Sequence, residues 1–197
     1  MEEIELKAVV DDLAARRRRV EEAGGRLVFA GRLEDRRYDT AERALARRGH
    51  VLRVRIYRDA EGASAELCWK GPTRHAGGFK VREELGARVA DGGALAAILE
   101  RLGYVVTAAI DREIAQYALD GATVRFERYP RMDDLVEVEG EPEAIERAIA
   151  ALGIDRGAFT SERLVDFVER YQARTGAPAA LCDGELDGSV RYSMEEA

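Results

Sequence analysis

One pattern restricts the folds open to this chain more than any other: between residues 3 and 139, apolar and charged residues alternate in short stretches. It opens in Glu3-Ile4-Glu5-Leu6-Lys7. It returns in Leu52-Arg53-Val54-Arg55-Ile56, in Glu66-Leu67-Cys68-Trp69-Lys70, in Lys80-Val81-Arg82 with Glu84, in Val124-Arg125-Phe126-Glu127, and in Val136-Glu137-Val138-Glu139. Successive side chains of a β-strand point to opposite faces, so each stretch reads as a strand with one apolar and one charged face. The charged faces carry both signs. An antiparallel sheet can satisfy this in two ways. It can stay open and turn its charged face to water, which the pattern alone favours. Alternatively it curls shut around a lumen of facing acids and bases, which is unstable dry but tolerable when wetted or filled by a polyphosphate with bound metal.

The intervening segments read as helices and connections. Asp11-Asp12 caps a predicted helix running to about Glu22, with Leu13 and Val20 on its inner stripe and Gly24-Gly25 ending it. Arg16–Arg19 spreads around most of a turn of that helix and reads as a solvated face. Residues 26–39 read as a strand and 41–48 as a short helical connection closed by Gly49. Leu95, Ile98, Leu99 and Leu102 predict a helix over 93–102, followed by a long strand over 104–119 and a tight hairpin at Asp120-Gly121. Further helices are predicted over 142–152 and 161–175. Their apolar stripes must be buried, and the apolar sheet face is the natural partner, which gives an α+β class. Residues 1–176 read as one domain. Residues 177–197, with Gly184, Gly188 and several acids, read as a loosely ordered tail.

Charge and composition exclude several functions. A net charge of −7 argues against general nucleic-acid binding. No apolar run reaches the roughly 18 residues of a membrane span and no signal-peptide core is visible, so a cytoplasmic location is expected. Cys68 and Cys182 lack metal-type spacing and are expected to be reduced, with Cys68 a small strand residue, while His50 and His75 fall in loops. The usual nucleotide-loop and hydrolase motifs are absent. Basic charge comprises 28 Arg against only Lys7, Lys70 and Lys80, which makes each lysine informative.

Chemistry enters with the first strand. Glu3 and Glu5 stand roughly 7 Å apart on one face, and such carboxylates repel unless a cation lies between them. The motifs Glu3-x-Glu5-x-Lys7, Tyr38-Asp39-Thr40, Leu52-Arg53-Val54-Arg55, Trp69-Lys70-Gly71-Pro72, Arg82-Glu83-Glu84 and Leu135-Val136-Glu137-Val138-Glu139 follow the order and spacing of the CYTH superfamily. That group includes class IV adenylyl cyclases, thiamine triphosphatases and inorganic triphosphatases, also called triphosphate tunnel metalloenzymes. The resemblance covers roughly residues 1–175. It implies a closed eight-stranded antiparallel β tunnel with helices packed outside, and a metal-dependent phosphotransfer enzyme, either triphosphatase or cyclase. ATP, tripolyphosphate or thiamine triphosphate would be the substrate and Mg²⁺ or Mn²⁺ the cofactor; a binding tunnel without turnover is the alternative. A homodimer is compatible with it, and no membrane or nucleic-acid partner is expected.

Carried over by position, Glu3, Glu5, Glu127, Glu137 and Glu139 resemble the metal ligands. Lys7, Arg53, Arg55, Lys70, Arg82 and Arg112 resemble the phosphate cradle, with Lys7, Lys70 and Arg55 closest to the chemistry and Glu84 a further acid. This chain departs from the family at three places. Ile114 replaces a cation of a K-x-R-x-x-Y strand, Glu127 replaces an aspartate, and Met132-Asp133 replaces a Leu-Gly turn.

Overall fold

The computed structural model describes residues 2–192. It contains nine strands: β1 (Glu2–Val9), β2 (Arg26–Thr40), β3 (Val51–Asp59), β4 (Gly62–Lys70), β5 (Arg74–Ala76), β6 (Phe79–Val89), β7 (Tyr104–Leu119), β8 (Ala122–Arg128) and β9 (Leu135–Glu139). The helices are α1 (Leu13–Glu22), α2 (Gly92–Arg101), α3 (Pro142–Leu152), α4 (Leu164–Thr175) and α5 (Asp183–Asp187). The strand order is β1-β9-β8-β7-β2-β3-β4-β6, and β6 pairs back onto β1. The charged face is therefore enclosed. The result is a closed eight-stranded antiparallel barrel, with the short β5 added beside β6.

Closure rests on the way β1 divides its length. Its first half pairs with β6, setting Glu3 opposite Arg82 and Glu5 opposite Lys80. Its second half pairs with β9, setting Lys7 opposite Glu137. Because antiparallel partners share a face, this register puts acids and bases side by side inside and the intervening apolar residues outside.

Those outward residues build the core. Leu6, Ala8, Ala115, Tyr117, Val124, Phe126, Val136 and Val138 pack beneath Val20 of α1 and Ala144, Ile145, Ala148, Ile149 and Leu152 of α3. A smaller cluster forms where α2 places Leu99 on Tyr38 and Val54. A third sits at a barrel end, where Phe167 and Val168 of α4 meet Ile110, Tyr129 and Leu135. Ile110 and Leu135 stand in register with Asp35 and Glu127, so α4 lies over one mouth of the lumen.

Several local expectations are corrected. The Arg16–Arg19 run is more than a solvated face. Arg16 donates to the carbonyls of Leu152 and Gly153 (3.2 and 2.8 Å), Arg19 to that of Ala151 (3.3 Å), and Arg17 to the Tyr117 hydroxyl (2.9 Å). The last carbonyls of a helix lack intrahelical partners, and Arg16 and Arg19 supply them for α3. The connection over 41–48 keeps one 3-10 turn, Ala46–Arg48. α4 begins at Leu164 instead of 161, because the Asp166 carboxylate accepts from the Arg163 N–H (2.8 Å) and caps the helix there. His75 belongs to β5 and not to a loop.

The segment after α4 is docked up to α5, against the expectation of a loose tail. Arg131 and Ala180 exchange both backbone hydrogen bonds (3.1 and 2.9 Å), and the Asp111 N–H donates to the Leu181 carbonyl (2.7 Å). Ala180, Leu181 and Cys182 are buried. The glycines and acids of this stretch suggest a loose tail, whereas its short apolar run 179–182 packs on α4. Residues 193–197 of the expected tail lie outside the described residues. Replacing Leu181 with Ala is expected to reduce stability in urea unfolding by about 2–5 kcal/mol, the range for emptying a buried leucine site. A change within about 0.5 kcal/mol, typical of a surface position, would return this segment to a loose tail.

Candidate functional site

The lumen holds a cavity of about 310 Å³, walled by charged side chains from all eight strands of the barrel. Its ion pairs follow the barrel register. On β1, Glu3 accepts from Lys70, and Glu5 from Lys80 and from Lys7 (2.8 Å). Lys7 also reaches Glu137 (2.7 Å), which in turn holds Arg125. Glu127 accepts from Arg125 (3.0 Å) and the Tyr129 hydroxyl, and it lies 3.0 Å from Arg112. Asp35 lies 3.0 Å from Arg112 and 3.1 Å from Arg55, with Arg53 at 3.9 Å. Arg53 continues to Glu84 (3.3 Å), which also takes Lys70 (2.8 Å) and the Cys68 thiol (2.7 Å).

This mutual neutralisation sets the protonation states. Burial pushes the Asp35 carboxyl upward, but Arg55, Arg53 and Arg112 outweigh it and hold it well below the ordinary carboxylate range. Burial likewise opposes the ionised form of Glu127, yet Arg112 and Arg125 bring it down to about 2. Glu5 is held low against burial by Lys7, Lys80 and Lys70. Lys80 falls to about 8, through burial first and then the neighbouring Lys7. Glu139 moves the opposite way, raised by burial and by Glu3 and Glu5.

The structure brings most of the expected site residues together. Lys7, Arg53, Arg55, Lys70, Arg82, Arg112, Glu5, Glu127 and Glu137 all line the cavity. Glu3 is buried on the same face and grips Lys70. Glu139 stands in register with Glu5 and Thr123, outside the cavity wall proper. Arg82 is partly committed to the fold, donating to the carbonyls of Gly71 (2.8 Å) and Gly49 (3.2 Å) at the mouth. Ile114 faces inward in register with Glu127 and Gly31, and with Leu33 opposite Arg112 it ends the polar lining apolarly. The cation missing from that strand is therefore missing from the lumen itself.

Asp35, Arg37, Lys80 and Arg125 also line the cavity and were absent from the expected set. Lys80 and Arg125 share parity with Arg82 and Glu127, so the alternation already contained them. Asp35 and Arg37 were concealed because residues 34–37 of β2 are charged on both faces. Arg36 on the outer face bonds Asp111 (2.6 Å), while Glu34 pairs with Arg32 and Arg58 (both 3.2 Å).

A hard divalent cation takes oxygen ligands, chiefly carboxylates. Among the described residues no three acidic, histidine or cysteine groups already form a metal-holding cluster. Glu3, Glu5 and Glu139 nevertheless crowd one region, and an all-carboxylate oxygen set suits Mg²⁺ or Mn²⁺. Replacing Asp35 with Asn is expected to destabilise the protein at pH 7 by about 3 kcal/mol, because it leaves buried arginines uncompensated. The Asp35 pKa is depressed in the fold, so its contribution is present above the ordinary 3.8 and lost as pH falls below it. The gap between wild type and variant should close on acidification, which urea unfolding at stepped pH will measure.

Comparison with known proteins agrees with this geometry. The CYTH domain model matches residues 1–152. A solved Pyrococcus horikoshii protein superposes with a TM-score of 0.70 at 22% identity, over 85% of this chain and 98% of its own. A Vibrio parahaemolyticus protein, described as a candidate adenylate cyclase, gives 0.72 at 17% over 85% and 97%. A Hippeastrum protein reported to have a dominant triphosphatase activity gives 0.59 at 19% over 91% and 98%. Curated proteins yield no sequence match. With its closed barrel, its charged lumen and a family match over most of its length, the chain belongs to the CYTH domain family.

Proposed function

We propose that the chain is a divalent-metal-dependent phosphotransfer enzyme that hydrolyses a triphosphate-bearing small molecule, with tripolyphosphate, ATP or thiamine triphosphate as the substrate class. The observation that carries this reading is the lumen itself: Lys7, Arg53, Arg55, Lys70, Arg112 and Arg125 converge on one cavity from β1, β3, β4, β7 and β8. A transferring phosphoryl group carries charge on its oxygens and needs fixed cations more than a covalent catalyst. Asp35 and Glu127 hold the arginines in position beforehand, which keeps the reorganisation needed at reaction small.

Water is the natural acceptor in this reading. The thiol on the lumen face, Cys68, is raised by burial and donates to Glu84, so it is a neutral group and a poor nucleophile. Lys7, Lys70 and Arg55 are assigned to the phosphoryl group that is transferred, and Arg53, Arg82 and Arg112 to the remaining phosphates. As the lysines turn from carboxylates to phosphate oxygens, Glu5 opens and Glu137 keeps only Arg125. Together with Glu3 and Glu139 they would hold the metal, whereas Glu127 stays with Arg112 and Arg125. When bound, a divalent cation supplies neutralisation of phosphoryl charge and makes water a stronger nucleophile. The reported triphosphatase activity of the Hippeastrum relative supports this choice.

A second reading, a tunnel that binds such anions without turnover, is favoured by the complete ion pairing of Glu5, Glu127 and Glu137 and by the cation lost at Ile114. Release of phosphate, pyrophosphate and cyclic AMP from ATP and tripolyphosphate, assayed with Mg²⁺ and with Mn²⁺, separates hydrolysis, cyclisation and binding. Replacing Glu5 with Ala is expected to cut metal-dependent phosphate release at least about 100-fold, the scale for removing one charge-stabilising group, while leaving the far-ultraviolet dichroism unchanged. An unaltered rate removes Glu5 from the mechanism, and no product from wild type leaves the binding reading in place.

A further inference from the structure

Arg37 differs from the other cations of the lumen wall. Lys7, Arg53, Arg55, Lys70, Lys80, Arg112 and Arg125 each stand within 4 Å of a carboxylate, and Arg82 donates to two backbone carbonyls. Among the described residues Arg37 forms no ion pair; its Nε, like those of Arg53 and Arg112, is shut off from water without a hydrogen-bond acceptor, but those two each have a carboxylate within 4 Å and Arg37 has none. The acids flanking it on β2 are already committed. Asp35 is held by Arg55 and Arg112. Asp39 accepts the backbone N–H groups of Thr40, Leu45 and Ala46 (2.7, 2.9 and 2.8 Å), and so closes the loop after β2.

The position of Arg37 is fixed by register. It pairs with Arg53 across β2 and β3, one inward-facing rung beyond the pair formed by Asp35 and Arg55, or about 7 Å further along the lumen. It lines the same cavity as Arg82 and Arg163, toward the mouth that α4 covers. Two guanidinium groups face each other there without a carboxylate of their own rung. Burial first, and then Arg53, lower the Arg37 pKa to about 10, the response of a cation placed among cations.

Resting on the reading of the tunnel as a triphosphate site, we infer that Arg37 is a specificity-determining residue that binds the phosphoryl group nearest this mouth and lets the cavity distinguish three linked phosphates from two. A guanidinium suits this task, because its planar N–H groups match phosphate oxygens in pairs. The inner phosphates lie with Arg55 and Lys7, and the outermost one supplies the anion that the rung of Arg37 and Arg53 lacks. The polar lining runs out at Leu33 and Ile114 on the opposite side, so the cradle is displaced toward Arg37.

The test is calorimetric titration of the full chain with tripolyphosphate and with pyrophosphate, for wild type, Arg37→Gln, Arg37→Lys and Arg55→Gln, alongside thermal melts without ligand. Arg37→Gln should weaken tripolyphosphate binding about tenfold or more and pyrophosphate binding by less than about threefold, the scale of one charge-assisted contact. Arg37→Lys should recover part of the loss. The unliganded Arg37→Gln protein should melt at or above the wild-type temperature, since a half-buried cation without a carboxylate partner has been removed. A lower melting temperature assigns Arg37 to the fold and overturns the inference. So does equal weakening of both ligands, or unchanged binding in Arg37→Gln while Arg55→Gln loses tripolyphosphate; that last outcome leaves the triphosphate reading standing. Wild type that binds no tripolyphosphate overturns both.

Discussion

Everything in this molecule depends on buried charges neutralising one another across a closed ladder. Glu3, Glu5, Asp35, Glu127 and Glu137 are almost wholly removed from solvent, as are Lys7, Arg53, Arg55, Lys70, Arg112 and Arg125. Taking any one of these ions from water alone would be prohibitive, and only a partner at hydrogen-bond distance makes it tolerable. The barrel provides partners because each strand delivers its charged residues to the same interior. The apolar faces, turned outward, then require α1 and α3 as a cover. The helices are in this sense a consequence of the closed sheet: they bury what closure leaves outside.

The same interaction makes the interior selective. An acid that already holds two arginines, as Asp35 does, gives little to an incoming cation and works as a brace. A carboxylate shared with lysines, as Glu5 is, can exchange them for another partner. The lumen therefore divides by partner type. Arginines braced by Asp35 and Glu127 form a fixed wall over β2, β3, β7 and β8. Lysines and glutamates from β1, β4, β6 and β9 form an exchangeable one. On the proposed reading, a polyanion with a counter-ion fits between two such walls better than either ion alone, because each wall meets the opposite sign.

Much of this was legible in the residues, and the limits of legibility have physical causes. Alternation identified the strands and their charged faces, since a single parity error would have moved Arg55 or Lys70 into the helix-packed core. It did not decide between an open and a closed sheet, because both satisfy a period of two. Closure is decided by one long-range pairing, β1 to β6, which no local window contains. The same limit hid Asp35 and Arg37, where Arg36 and Glu34 have outer partners on distant elements and leave no apolar residue to mark a face. The docked segment around Leu181 was missed because its short apolar run draws its meaning from Phe167 and Val168, which are distant in sequence.

The distribution of lysine carries the remaining step. The chain uses 28 arginines and three lysines, and Lys7, Lys70 and Lys80 all face the lumen. A guanidinium is planar and directional, and it serves best where a bond must be held. An ammonium on a flexible stem is a compact charge whose donors rotate, and it serves best where partners must change. In a chain that uses arginine almost everywhere else, from the seam between α1 and α3 to the surface pairs of α4, all three lysines stand on the lumen wall beside Glu3, Glu5 and Glu137. Replacing those three with arginine would preserve every charge and still exchange compact, rotating donors for planar, directional ones beside Glu5 and Glu137.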